Sequence, residues 1–412
     1  MILEIINKKR LGQELSEEEL KKIFNGYLNG EVADYQMSSL LMAICINGMS
    51  DEEIFSLTKI FIESGETLDF SNIPGIKVDK HSTGGIGDKT TLVIAPIVAS
   101  LNIPVIKMSG RGLGYTGGTI DKLESIPGYR IDLNDQEIQK QVEEIGIVIT
   151  GQTSNLVPMD KKIYALRDVT ATVSSIPLIA ASIMSKKIAS GADKILIDIK
   201  VGKGALLQTM EEAEKLKDIM IKIGKFYNKE VRCMMSDMNV PLGRCIGNSL
   251  EVWEAMEVLQ GREKDTNLGK LCYELAAEMV SMGLNVSKEE AMEKVKTNIE
   301  NGLAYQKFVE LVHHQQGKLE GIQFSKNQYQ IKSPQTGVLT DINALELGKL
   351  SLLLGAGKEN IEDVIDYTVG IYLHKLIGQE VSQGETLATL YYQNTLPDIN
   401  IDNIFTITEK NV

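Results

Sequence analysis

The 412-residue sequence is poor in cysteine, histidine, tryptophan and positive charge, and each shortage closes off a class of protein. Its four cysteines (Cys45, Cys233, Cys245, Cys272) lie far apart, with no Cys-x-x-Cys pair. That spacing offers neither a disulfide framework nor a cysteine zinc site, and it fits a reducing compartment. Lysine and arginine number 43 against 56 acidic residues, a net charge of −13. A nucleic-acid groove needs concentrated Lys and Arg to displace counterions, so no nucleic-acid partner is expected. The longest uncharged runs, Thr90–Ile106 and Val169–Ser185, carry proline and polar residues. Both fall short of the ~20 apolar residues of a membrane span. Met1–Arg10 holds no apolar stretch followed by a cleavage site, so a cytoplasmic protein with no membrane partner is expected. A hydrophobic content of 43% with 24% charged residues is ample for a large buried core.

Three textures follow one another along the chain. Residues 1–65 read as helices only. Ser16-Glu-Glu-Glu19 and Ser50-Asp-Glu-Glu53 fit the capping box, and Ile54, Leu57, Ile60 and Phe61 recur at helical spacing before a stop at Gly65. Segment 66–76 has Pro and Gly without a period and reads as a linker. From Lys77, short apolar stretches (Pro104–Ile106, Lys194–Val201) alternate with helical ones (Thr91–Ser100, Met210–Ile223), as a sheet with crossover helices requires. A helical block rich in Ala, Ser and Ile, Ala171–Ala189, interrupts the alternation, and 264–316 is helical again. The tail, about 325–406, has short turn-rich strands around a small helix near Ala344–Leu354. The expected fold is therefore α/β with a separate small all-helical domain, a mixed sheet in the large domain and a C-terminal α+β appendage.

Two loops carry the chemistry. Lys80-His-Ser-Thr-Gly-Gly85 and Lys107-Met-Ser-Gly110 each place Lys, Ser and Gly directly after an expected strand. In open α/β sheets that edge is where ligands bind. The first loop continues through Gly87, Asp88 and Lys89 into an apolar helix, so unhindered N–H groups and a helix start favour a phosphate. A tight turn without a ligand is the competing reading. A P-loop is excluded, because Thr83 and Asp88 stand where that motif needs Gly before Lys89. The second loop has six glycines between 110 and 128, with Thr116 and Thr119 among them, and suits a phosphate–hydroxyl cradle. His81, beside an anion site at a strand end, becomes a candidate proton or hydrogen-bond donor. Ser182 and Lys186 are four apart and share one helix face, which by periodicity alone is equally the wet side of an amphipathic helix.

Three segments together resemble the thymidine and pyrimidine-nucleoside phosphorylase family: Lys80–Asp88, Ser109–Gly128 and Tyr164–Val173. The resemblance covers nearly the whole chain and is most like the bacterial pyrimidine-nucleoside phosphorylases. It implies cleavage of a pyrimidine nucleoside (thymidine, deoxyuridine, with uridine open) by inorganic phosphate to the base and an α-pentose 1-phosphate. It also implies a homodimer formed through the helical domain, with the active site in a cleft between domains. The implied division is 1–65 with 162–190 as the helical domain, 77–161 with 191–325 as the α/β phosphate-binding domain, and 326–412 as the appendage. Carried over by position, Lys80, Ser82, Thr91, Lys107, Ser109 and Thr119 would bind phosphate. Arg167, Ser182 and Lys186 would bind the pyrimidine, and His81, Arg167 and Lys186 would be catalytic.

The sequence departs from the family pattern at several positions. No organic cofactor is implied, but many relatives bind potassium through equivalents of Gly87, Lys89, Leu242, Cys245 and Glu254, usually with Thr in place of Lys89. An ammonium there is expected to pair with Glu254 and weaken any need for the ion. Tyr115 replaces the usual His, and Lys203 and Leu206 replace Ser and Phe near the base, which leaves the nucleoside preference open. Two other readings stand beside this one: a phosphoribosyltransferase-like enzyme of the same fold, and a non-catalytic nucleoside or phosphate sensor.

Overall fold

A computed structural model describes residues 1–112, 115, 117–153, 155–358 and 363–409. Four helices open the chain: α1 (Ile2–Arg10), α2 (Glu17–Leu28), α3 (Asp34–Asn47) and α4 (Asp51–Glu63). Both capping boxes form. Ser16 Oγ accepts the Glu19 N–H at 3.2 Å while the Ser16 N–H donates to Glu19 Oε2 at 2.8 Å, and Ser50 repeats the exchange with Glu53. A side chain at Gly65 would collide with the carbonyl of Asn155, so the helical stretch ends where only glycine fits.

Strands and helices then alternate: β1 (Val78–Ser82), α5 (Thr90–Ser100), β2 (Val105–Ser109), α6 (Thr119–Glu124), α7 (Asp135–Ile145) and β3 (Ile147–Gly151). Two helices interrupt, α8 (Pro158–Asp168) and α9 (Ile176–Ala189), before β4 (Lys194–Val201), α10 (Met210–Phe226) and β5 (Glu230–Asp237). A short β6 (Cys245–Ile246) leads to α11 (Asn248–Leu259), α12 (Asn267–Leu284), α13 (Lys288–Glu300) and α14 (Leu303–His314). The tail holds β7 (Asn327–Lys332), β8 (Gly337–Ile342), α15 (Ala344–Leu353), β9 (Gly370–Leu373), β10 (Glu380–Val381), β11 (Thr386–Tyr392) and β12 (Phe405–Thr408). One boundary differs from the sequence expectation. The helix expected from Ala171 begins only at Ile176, because Ala171 takes a left-handed φ of 56° and Pro177 favours a helix start. In the freed segment the carbonyls of Thr172 and Val173 accept from the Arg167 side chain.

The chain packs into two units. One comprises Met1–His81, Gln152–Ile197 and Thr209–Cys233; the other comprises Ser82–Gly151, Asp198–Gln208 and Met234–Val412. In the first, α4 packs on α2, α9 and α10, α1 packs on α3, and α8 contacts α2, α3 and α4. Its core includes Leu20, Ile23, Leu57 and an edge-to-face pair, Phe24 and Phe61, with centroids 5.8 Å apart. In the second, α5 is enclosed by α11, α12, α13 and α14. That explains its apolar surface on every side, since Leu92, Val93, Ile97 and Val98 are all buried.

β2 and β3 pair in parallel, from Val105 opposite Ile147 to Ser109 opposite Gly151. β1, β4 and β5 form a sheet in that spatial order 1-4-5. The tail carries two antiparallel sheets, β6-β9-β11-β7 and β10-β8-β12. The fold is thus helical bundle, α/β and α+β appendage, with sheets of both senses. Among the described residues no helix is long and apolar enough to cross a membrane.

Candidate active site

Two helices of the first unit build the base-side group. Along α8, Asp160, Tyr164 and Arg167 stand at i, i+4 and i+7 and so share a face. On α9, Ser182 and Lys186 share another. The Lys186 ammonium joins the two helices: Nζ donates to Asp160 Oδ2 at 2.6 Å and to Ser182 Oγ at 2.9 Å. It also lies 5.7 Å from the centre of the Tyr164 ring, and the Arg167 guanidinium lies 5.6 Å from the same ring. Arg167 is only 1% exposed. It donates to the carbonyls of Thr172, Val173 and Leu178 at 3.2, 2.7 and 3.3 Å, so two of its five N–H groups fasten the irregular segment before α9 and a third reaches the first turn of α9 itself. Burial pulls its pKa down, against the opposing charge of Asp160. Arg167 therefore shapes the group as much as it offers donors to a ligand.

The same unit holds Lys80 and His81 on β1, with Lys80 buried and His81 half-buried. Asp79, their neighbour, accepts from the Lys187 Nζ at 2.5 Å in a pair almost sealed from water. Strand β1 is thereby tied to α9 one residue away from each of Lys80 and Lys186.

The second unit holds the two glycine loops. Ser82 ends β1, and its hydroxyl donates to the Asp88 carboxylate while accepting the Gly84 N–H at 3.1 Å. Asp88 also accepts from Thr90 Oγ1 at 2.6 Å at the start of α5, where Thr91 follows in the first turn. Lys107 and Ser109, both buried, lie two apart on β2 and so on one face of the strand. Beyond them, Asp121 Oδ2 accepts the N–H groups of Gly112 and Gly118 at 2.6 and 3.1 Å, closing the second loop into a ring just before Thr119 opens α6. Leu113, Gly114 and Thr116 lie outside the described residues. Lys122 couples the loops: Nζ donates to the carbonyls of Asp88 at 2.6 Å and Gly117 at 2.9 Å, balanced by Glu251 at 3.0 Å.

Behind the first loop lies a fully buried cage. Lys89 Nζ donates to the carbonyl of Leu242 at 2.9 Å, to that of Cys245 at 2.8 Å and to Glu254 Oε2 at 2.5 Å. Glu254 is held in turn by the N–H groups of Arg244 and Cys245. Gly87, at φ 75°, fits against this cage because a Cβ there would lie 2.6 Å from the Leu242 carbonyl oxygen. Burial would lower the Lys89 pKa, but the carboxylates of Glu254 and Glu251 outweigh it and raise it.

Sequence reasoning placed Ser182 with Lys186 and Lys89 with Glu254, and it joined the two loops by analogy of their motifs. It missed Asp160, Tyr164, Asp121 and Lys122. The i, i+4, i+7 spacing of Asp160, Tyr164 and Arg167 was visible. Nothing in the sequence signalled that Lys122 spans 34 residues back to the Asp88 carbonyl.

Residues 3–65 match the helical bundle domain of the glycosyl transferase family, and 75–305 match that family's a/b domain. Residues 338–404 match the pyrimidine nucleoside phosphorylase C-terminal domain. A pyrimidine-nucleoside phosphorylase from Staphylococcus haemolyticus is 46% identical over 418 aligned positions, covering 100% of this chain and 95% of the relative. One from Bacillus subtilis is 47% identical over 418 positions, with the same coverage. Among solved structures, the anthranilate phosphoribosyltransferase of Thermus thermophilus superposes with a TM-score of 0.60 at 18% identity, covering 76% of this chain and 99% of that one. At that identity the likeness is one of fold alone. By its full-length match to these relatives and its three matching domains, the chain belongs to the pyrimidine-nucleoside phosphorylase family of glycosyl transferases.

Proposed function

We propose that this chain cleaves pyrimidine nucleosides with inorganic phosphate, releasing the base and an α-pentose 1-phosphate. The observation that carries this reading is the Lys186 ammonium, held between Asp160 and Ser182 beside Tyr164 and Arg167. As the glycosidic C–N bond breaks, its electron pair passes to the base, and cationic donors at the base carbonyls are worth most at that moment. Arg167 and Lys186 supply them, Ser182 adds a neutral hydroxyl donor, and His81 donates toward the base. Lys80, Ser82, Thr91, Lys107, Ser109 and Thr119 neutralise and orient the phosphate. A phosphate oxygen forms the new bond to the anomeric carbon with inversion, and the proton ends on the base. Phosphate is itself the nucleophile, so the protein contributes placement and charge, and no organic cofactor takes part. Incubation with thymidine or uridine, with and without phosphate, tests this. Base release that requires phosphate is expected; release without it would make the protein a hydrolase.

Lys89 stands in for a monovalent cation in this chain. The oxygens of Leu242, Cys245 and Glu254 already surround its ammonium, so the residues present do not fit a resident potassium ion, and no step runs through one. Equal activity with and without potassium is expected; strict dependence would refute the assignment.

The protein works as a homodimer in the cytoplasm. Four free cysteines support a reducing compartment. Tyr35, Met42 and Ile46, exposed at 75, 38 and 74%, lie along one side of α3, and Leu3 on α1 adds to them. Ile46→Asp is expected to yield monomers in sedimentation; an unchanged dimer would place the contact elsewhere.

A further inference from the structure

We propose that Asp160 is the positioning residue for Lys186 in this reaction, an inference that rests on the phosphorolysis reading above. Asp160 stands in the first turn of α8 with 2% of its surface exposed, and Oδ2 accepts from Lys186 Nζ at 2.6 Å. Its other oxygen, Oδ1, is buried with no hydrogen-bond partner among the described residues. A buried carboxylate is tolerated only beside a compensating charge, and Lys186 provides it.

The contact fixes the ammonium in space. A lysine head on a four-carbon stem samples many positions, and ordering it costs rotamer entropy. Here the ordering is complete before substrate arrives. An ammonium has three N–H donors. One goes to Asp160 and one to Ser182, which leaves a single N–H with its direction set by the other two. Lys186 keeps 17% of its side chain exposed, against 3% for Asp160, so the carboxylate is the inner partner and the ammonium the one that meets the ligand. Because Lys186 also donates to Ser182, the Ser182 oxygen serves it as acceptor and the Ser182 proton is left for a ligand acceptor. A single buried carboxylate thus sets two donors for the pyrimidine. Donors fixed before charge develops stabilise a departing anion without reorganising.

A bare link between α8 and α9 would also account for a stable fold, so the test turns on the leaving group. Asp160→Asn keeps an acceptor oxygen and the shape but removes the charge; Asp160→Ala removes both. The three proteins are compared with 2′-deoxyuridine and with its 5-fluoro derivative, whose base departs as a more stable anion and asks less of Lys186. Asp160→Ala should lower kcat/KM for deoxyuridine by roughly tenfold to a hundredfold. The loss should be several times smaller for the fluorinated substrate, with the KM for phosphate unchanged. Asp160→Asn should fall between, and it carries the comparison alone if Asp160→Ala fails to fold. Equal losses for both nucleosides, or none, would overturn the assignment while leaving phosphorolysis standing. Absence of phosphate-dependent base release by the unaltered protein would overturn both.

Discussion

Lys89 Nζ lies 2.5 Å from Glu254 Oε2, and neither side chain is more than 1% exposed. A chain of this family has placed a covalently attached cation at the point where three oxygens converge. Removing one partner of such a pair leaves a buried, uncompensated charge. Lys89→Met is therefore expected to cost about 3–5 kcal/mol of stability, measured by urea unfolding. Lys89→Thr should recover part of that loss when potassium is added, and sodium should do less, since an ion bound only by the folded state stabilises it by mass action. No difference between the salts would mean that the cage closes once the ammonium is gone.

The buried lysines also set how stability responds to alkali. Burial alone would lower the pKa of Lys200, but the carboxylates of Asp88 and Asp198 more than reverse this and raise it. Lys89 is raised in the same way. A group whose folded pKa exceeds its unfolded one contributes in full below the unfolded value, about 10.4, and loses that contribution as pH climbs through the folded value. Thermal midpoints should therefore be insensitive to these groups between about pH 7 and 10 and fall above that range. Lys200→Met should be less stable at pH 7 and decline less steeply in alkali. Parallel curves for the two proteins would rule out this source.

Lys186→Ala removes the ammonium that the departing base meets. Turnover is expected to drop by roughly tenfold or more, with near-normal binding of phosphate. Initial rates over a grid of both substrates distinguish this from a general loss; an unaltered kcat/KM would contradict the role.

The ring closed by Asp121 has no room at Gly118, where a Cβ would run into the backbone of Gly112 and Arg111. Gly118→Ala must open that ring and release the N–H groups held by Asp121. Because misplacement of about 1 Å can cost as much as a hundredfold, kcat/KM for phosphate should fall by roughly tenfold or more. The nucleoside KM is the control and should move little.

Much of this molecule was legible residue by residue. Ser16 with Glu19 and Ser50 with Glu53 announced helix starts, since capping is a matter of four neighbouring residues. The strand Lys194–Val201 formed with the bounds expected. Ser182 and Lys186 were legible as a pair because helical spacing alone puts them together. The start of α9 was not, because the composition of 171–175 suits a helix locally while Arg167 recruits the carbonyls of Thr172 and Val173 into a loop.

The order of elements, the glycine-rich loops and the family can all be read from the chain without its coordinates. Those depend on local backbone freedom and on motifs written in consecutive residues. Which charge compensates which is settled by the folded arrangement alone. Lys122 reaches the Asp88 carbonyl, Lys187 reaches Asp79, and Lys89 reaches Glu254 across 165 positions of chain. The physical reason is that a buried ammonium is stable only where folding delivers oxygens from several directions at once, and no local pattern encodes that convergence.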